Sequence, residues 1–334
     1  MRFINLSKHK MKFININNSF WKVLTVIVLV FTAVNYTFSQ TDTLSAPFTL
    51  NGHKFVVNSS VGSPFVSTYY KNVLGVGQTT GLEFPVITIN NKKAIQLQGQ
   101  LAFSNLSFSY QQEIRDWMAF YGEVKLVGRL GTEAGALISQ GVNIITGYNM
   151  GWKFKLYQNE RMSLSSNINV SRAAYTVMDL KNFIQTIIDS GGITKDNKLV
   201  QNVPLVRGGV GFNYAYVFNK TFGATAKLYL DYGESVKRGE DNVFNYNYGM
   251  AVDADLLPKY NVPLGFLAGF YHSSVPVFKE STSRDPNEVI FQINYTGKKY
   301  LNIGAEIIYQ WYKVENYESN INFITLNLNS TIYF

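Results

Sequence analysis

The amino-acid sequence predicts an all-β protein, a transmembrane antiparallel up-and-down β-barrel of about twelve strands, with fourteen as the alternative. Three observations predict it. Stretch after stretch alternates apolar and polar residues with period two, the pattern of a strand with two chemically different faces. The alternating runs are roughly 10–15 residues long, whereas globular strands centre on ~5–6 and a tilted bilayer crossing takes ~9–11. The apolar faces end in aromatic residues, among them Tyr309, Trp311, Phe218, Tyr232 and Phe334, where a membrane barrel carries its interfacial girdle.

Composition removes the competing classes. The 334 residues include 22 Tyr and 24 Phe against 30 Lys and Arg, and no cysteine. Disulfide frameworks and thiolate chemistry are therefore excluded. With three His in the whole chain, neither a metal centre nor any other cofactor is expected. The formal charge of +8 does not indicate a nucleic-acid partner. Residues 1–40 hold Arg2, Lys8, Lys10, Lys12 and Lys22 and no acid, leaving 25 basic against 22 acidic residues beyond them.

In chain order, residues 1–40 read as a secretory signal peptide. A basic stretch precedes the apolar run Val23–Val34 and a polar end at Ser39-Gln40, and the run is shorter than the ~20 residues of a spanning helix. Met1 and Met11 both fit as the start. Residues 41–80 are rich in Ser, Thr, Asn and Gly but contain Phe48, Phe55-Val56-Val57, Pro64-Phe65-Val66 and Tyr69-Tyr70. That is too apolar for a solvated tail. It reads as an N-terminal plug in the barrel mouth or, alternatively, as extra strands near 53–59 and 64–76.

The barrel itself is assigned to 81–334. Strands are expected near 81–89, 94–110, 117–131, 146–158, 161–176, 204–219, 221–234, 243–257, 263–276, 286–297, 300–314 and 321–334. Twelve is an even number, as single-chain bacterial barrels have. Short connections alternate with long ones after the first hairpin, as periplasmic turns alternate with external loops. Residues 90–93 are expected to turn, and a change of parity near Ser104-Asn105 predicts a bulge. In the long connection 177–203, Leu180, Phe183, Ile184, Ile187 and Ile188 share one helical face, with Asp179 as N-cap and Gly191-Gly192 as stop. Residues 133–146 have a similar helical tendency.

The last strand places Ile324, Leu326, Leu328, Ile332 and Phe334 on one face. Leu326, Leu328, Ile332 and a terminal aromatic, Phe334, resemble the signal read by the barrel-assembly machinery of Gram-negative bacteria. The alternating pattern over 81–334 is similar to that of the outer-membrane β-barrel class, and the Asn-, Tyr- and Lys-rich composition looks like a Bacteroidota-type protein. The resemblance implies outer-membrane location, lipid as the surrounding partner and the assembly machinery as a partner in biogenesis. A monomer is expected.

Parity assigns a set of charges to the lumen: Lys125, Arg129, Lys153, Lys155, Arg207 and Lys227 against Asp231, Asp253, Asp255 and Glu306. Most of the bases come from early strands and the acids from later ones. The expectation is a field across the lumen that selects polar solutes; charges paired within a filled lumen are the alternative. His272-Ser273-Ser274 is the one stretch with nucleophile-like composition, but neighbours on a strand point oppositely, so no covalent catalysis is expected. The function expected is a narrow or gated channel for small solutes. A non-conducting receptor, adhesin or envelope-complex subunit is the second reading, and a lipid-modifying enzyme the third.

Overall fold

The computed structural model describes residues 48–80, 82–83, 87–89, 92–95, 98–99, 101–131, 145–178, 180–191, 200–235, 241–274, 286–312 and 321–334. Residues 1–40, where the signal peptide is expected, lie outside them with Asp179 and Gly192, as does 133–146 apart from its last two positions. The described residues belong to one compact unit, Ala46–Phe334.

Twelve antiparallel strands close into a barrel. They are β1 (Tyr69–Thr80), β2 (Leu101–Arg115), β3 (Met118–Gly131), β4 (Ile145–Gln158), β5 (Met162–Met178) and β6 (Val200–Val217). The circuit continues through β7 (Phe222–Gly233), β8 (Val243–Asp255), β9 (Leu264–Ser273), β10 (Asn287–Lys298), β11 (Leu301–Tyr312) and β12 (Ile321–Tyr333). Every strand pairs with its sequence neighbours, and β12 closes on β1 from Asn322↔Thr80 to Tyr333↔Tyr69. Closure is what lipid demands, because an open edge leaves backbone groups unpaired where no water reaches them.

Two expectations need correction. The first barrel strand is 69–80, not 81–89; residues 82–99 instead contribute short two-stranded ladders between β1 and β2. Both stretches alternate, and in 69–80 the inward positions include Lys71, Gly75, Gly77 and Thr79, which suit the lumen. The count therefore stays at twelve while the barrel starts earlier. The second concerns β2, whose register runs without a shift through Ser104 and Asn105. Its irregularity falls instead between Glu113 and Arg115, beside the turn into β3.

The outer face is apolar and solvent-accessible in the isolated chain, as a lipid-facing surface must be. Ile168, Val170, Leu228, Met250, Val252, Ile293, Ile307 and Leu326 are all exposed. Aromatic pairs flank this band: Trp117 with Phe154, Phe120 with Trp152 and Tyr216 with Phe218 toward the short turns. Tyr232 with Phe244 and Tyr309 with Trp311 lie toward the long connections. Leu326 and Phe334 of the terminal signature face outward and are exposed. The long connection after β5 carries helix α1 (Leu180–Ser190), ended by Gly191 at φ 70. Ile187 is covered while Ile188 is half exposed.

Candidate functional site

The inner face is made of the alternate residues, and a segment of the chain itself occupies part of it. Thr49–Leu50 pairs with His53–Lys54 around Asn51-Gly52, both at positive φ (49° and 79°). These are the backbone angles of a two-residue hairpin turn, for which Asn-Gly is the favoured sequence. Phe48, Leu50, Phe55 and Phe65 then bury themselves with Ala215, Val217 and Tyr333. Ala215 and Val217 lie on β6 and Tyr333 on β12, six places apart in a ring of twelve, so this cluster crosses the lumen. A second cluster seats Val56 against Ala251, Leu267 and Ile290. Asn58 shapes the next stretch, its Oδ1 accepting from the amides of Ser60 (2.9 Å) and Val61 (2.6 Å), and Gly62 turns the chain at φ 77°.

Polar wall residues hold this segment, each by the chemistry its charge allows. The acids take donors. Asp253 Oδ2 accepts from the Val56 amide (2.9 Å) and meets His53 Nε2 at 3.1 Å. Asp255 accepts from the Lys54 amide (3.2 Å) and the Thr296 hydroxyl (2.9 Å). Glu306 accepts from Ser59 Oγ (2.5 Å) and Glu288 from Ser60 Oγ (3.0 Å). The bases and amides take carbonyls. Lys71 Nζ donates to Asn58 O (3.1 Å), Lys227 Nζ to Ser60 O (3.1 Å) and Lys153 Nζ to Ser63 O (2.5 Å). Gln111 donates to Phe65 O and Ser67 O. Lys54 reaches the other way, donating to the carbonyls of Lys298 (2.6 Å) and Leu301 (3.0 Å) at the turn between β10 and β11. Burial pulls its ammonium pKa down to about 8, against the opposing attraction of Asp255.

Glycines make room for these contacts. A Cβ on Gly223 would meet His53 Nε2 at 2.6 Å, one on Gly265 would meet Val56 Cγ2 at 2.7 Å, and one on Gly249 would meet Val61 Cγ2 at 3.1 Å. Three consecutive strands, β7, β8 and β9, thus each leave a seat for the segment.

Beyond the segment, on the side of the long connections, lies a cavity of about 690 Å³ with Val61, Gly62 and Ser63 as part of its lining. Of the charges expected in the lumen, Lys125, Lys153, Arg207, Lys227 and Asp231 line it. Asp253, Asp255 and Glu306 do not: they are at most 3 % exposed and engaged as described above. Lys155, half-buried near the short turns, is not among the lining residues either. Arg129 pairs in register with Phe103, and its side chain is outside the described residues. Two facing walls of opposite charge therefore do not form around the cavity, because the late-strand acids bind the segment. Arg207 and Asp231 form an ion pair between adjacent strands. Glu123, Glu288, the tyrosines Tyr121, Tyr229 and Tyr271, and a group of asparagines complete the surface. Parity pointed to these positions, but not to which of them would contact residues 48–67 and which would face the cavity.

His272 and Ser273 sit on opposite faces of β9. His272 pairs with Asn287 (2.9 Å) and stacks on Tyr248, while Ser273 donates to Asn247 inside. Among the described residues no cluster of His, Asp and Glu has the arrangement of a metal site.

No protein-family signature matches the chain, and no curated protein matches it in sequence. Solved structures are similar to it in fold. They include the CymD monoaromatic hydrocarbon channel (8% identity, TM-score 0.40, covering 80% of this chain and 88% of that one). The P. putida toluene transporter TodX is 12% identical, with a TM-score of 0.42 over 80% of this chain and 90% of that one. The KdgM porin is 6% identical, with a TM-score of 0.40 over 78% of this chain and 99% of that one. At such identity the likeness is one of barrel fold alone.

Proposed function

We propose that the protein is a gated outer-membrane channel for small polar solutes, with residues 48–67 as the gate. The observation that carries this reading is the polar cavity inside the closed barrel, resting on a segment that seven of the twelve strands hold. A barrel built only as a platform fills its lumen with its own wall side chains. Here the filling is a separate stretch of chain, attached through hydrogen bonds that water can replace and through two small apolar clusters. Such hydrogen bonds are each worth only about 0.5–1.5 kcal/mol net, so the loss of a single wall partner should shift the balance measurably toward release.

The same reading includes a cleaved signal peptide over 1–40, a Gram-negative host, and recognition of Leu326, Leu328, Ile332 and Phe334 by the assembly machinery. No covalent step is involved.

Single-channel recording in planar bilayers tests the proposal, comparing the refolded mature chain with a version lacking 48–66. Brief steps from the intact protein and larger, long-lived steps after deletion are expected. Silence from both, with folding shown by a heat-modifiable gel shift, overturns the channel reading in favour of a partner-binding barrel.

A further inference from the structure

We infer that the cavity above the gate is a binding site for a neutral, polyhydroxylated solute of small-carbohydrate size. This rests on the channel reading and adds the class of cargo.

Nearly every charge that lines the cavity is directed by a partner within the protein. Arg207 is paired with Asp231 and also donates to the Glu234 carbonyl at 2.7 Å. Lys153 and Lys227 each aim one of their three N–H donors at a carbonyl of the segment, Ser63 and Ser60 respectively. Lys227 also lies 6.0 and 5.7 Å from the ring centres of Tyr229 and Tyr271, a further stabilisation of its charge. Glu288 accepts from Ser60 and from Gln310 Nε2 (2.8 Å), and Glu123 accepts from Ser107 Oγ (3.0 Å). Lys125 alone among these has no hydrogen-bond partner within the described residues, and Glu123 shares its inward face two positions away. A negatively charged solute meeting Lys125 would meet Glu123 and Glu288 in the same space.

What the cavity offers instead is oriented amides and phenols. Asn213 Nδ2 donates to Asn167 Oδ1 (3.1 Å), and Asn167 Nδ2 donates to Tyr121 OH (3.3 Å). On the neighbouring level Tyr229 OH donates to Asn169 Oδ1 (2.7 Å), and Asn169 Nδ2 donates to Asn149 Oδ1 (2.5 Å). A side-chain amide has two N–H donors and two acceptor lone pairs. These chains use part of that capacity to fix each amide's direction and leave the remainder for a ligand. A sugar hydroxyl, which both donates and accepts, matches such a surface, while the tyrosine rings supply apolar faces for its C–H groups. The volume of about 690 Å³ is within the usual ~300–1,000 Å³ of small-molecule sites.

Calorimetric titration of the full mature chain in detergent tests this with three probes of similar size: lactose, its anionic counterpart lactobionate, and zwitterionic triglycine. Lactose is expected to bind at least about tenfold more tightly than either of the others. Asn167→Val, which breaks a chain at both links, should weaken lactose about tenfold or more. Tyr121→Phe, which removes only a hydroxyl, should do so by a smaller factor and guards against misfolding of the first variant. Lys125→Met should change lactose affinity less than about threefold. Tighter binding of lactobionate or triglycine overturns the inference. Absence of lactose binding in a chain that conducts ions overturns the cargo class and leaves the channel standing; absence of both removes the channel reading as well.

Discussion

His53 Nε2 lies 3.1 Å from Asp253 Oδ2, with the two side chains 0 % and 1 % exposed. Two hundred positions separate them in the chain. The contact joins the Thr49–Lys54 hairpin to the wall of β8, and the same carboxylate oxygen accepts the Val56 amide. One acid therefore satisfies both a side chain and a backbone group that no water reaches. The wall beside them is Gly223, where any Cβ would collide with His53 and Phe55.

Asp253→Ala is expected to loosen the gate and leave the barrel closed. It leaves the Val56 N–H and His53 Nε2 without their partner, and each buried group left unpaired costs about 1–3 kcal/mol. The strand loses nothing, because Asp253 pairs through its backbone with Gly223 and Leu267. The measurements are single-channel open probability, which should rise by about tenfold or more, and the heat-modifiable gel shift, which should persist. An unchanged open probability would remove the contact from any gating role.

A cross-link should have the opposite effect. The Cβ position of Gly249 lies 3.1 Å from Val61 Cγ2, the place a sulfur on residue 61 can take, so a sulfur carried by residue 249 can reach it across the ~2.0 Å S–S bond. The chain has no cysteine, so Val61→Cys with Gly249→Cys gives a single pair on a clean background. Oxidised protein should stay closed under conditions where the wild type opens, and a reductant should restore its steps. Mass spectrometry of the oxidised chain reports whether the bond formed.

Lys54 supplies a pH dependence whose sign follows from its burial. Its pKa in the docked gate is about 8, below the ~10.4 of a solvated lysine. Its surroundings are Asp255, the neighbouring His53–Asp253 contact, the Phe48 ring and the carbonyls of Thr296, Lys298 and Leu301. Below pH 8 the amine is protonated in both docked and released states, and docking bears the full cost of burying the charge. Between pH 8 and ~10.4 the docked state gives up its proton while the released state keeps it, so docking strengthens as pH rises. Open probability should fall from pH 7.5 to 9.5, by at most about a hundredfold, and Lys54→Met should flatten that slope. A rise over the same range would contradict the assignment.

The architecture was legible because a membrane barrel writes its two faces as strict alternation. Ile307, Leu326 and Met250 read as lipid-facing, and Asn327, Glu306 and Asp253 as inward, from parity alone. The start of the barrel was not legible in the same way. Lys71, Val73, Gly75 and Gly77 alternate no better than the residues after Gly81, and which stretch pairs with β12 depends on contacts some 250 positions away. The partners of the charges were hidden for the same reason. Parity places Asp253 and Lys153 inside but carries no information on whether they face a solute or each other. Both face the gate, whose clearest local signal was the Asn51-Gly52 turn.

The position of β1 sets where a deletion can end. Removing 48–66 leaves all twelve strands and both partners of β1 in place, so the barrel should fold and show its gel shift. A deletion that runs on to residue 80 takes away the strand that pairs with β12 on one side and with β2 on the other. Two edges would then stand open in lipid, at several kcal/mol for each unpaired backbone group. That protein should fail to insert as a monomer, and it should run at the unfolded position whether or not it is heated. Folding of the longer deletion into a closed barrel would show that 82–99 can take the place of 69–80, and would return the first strand to where alternation alone had put it.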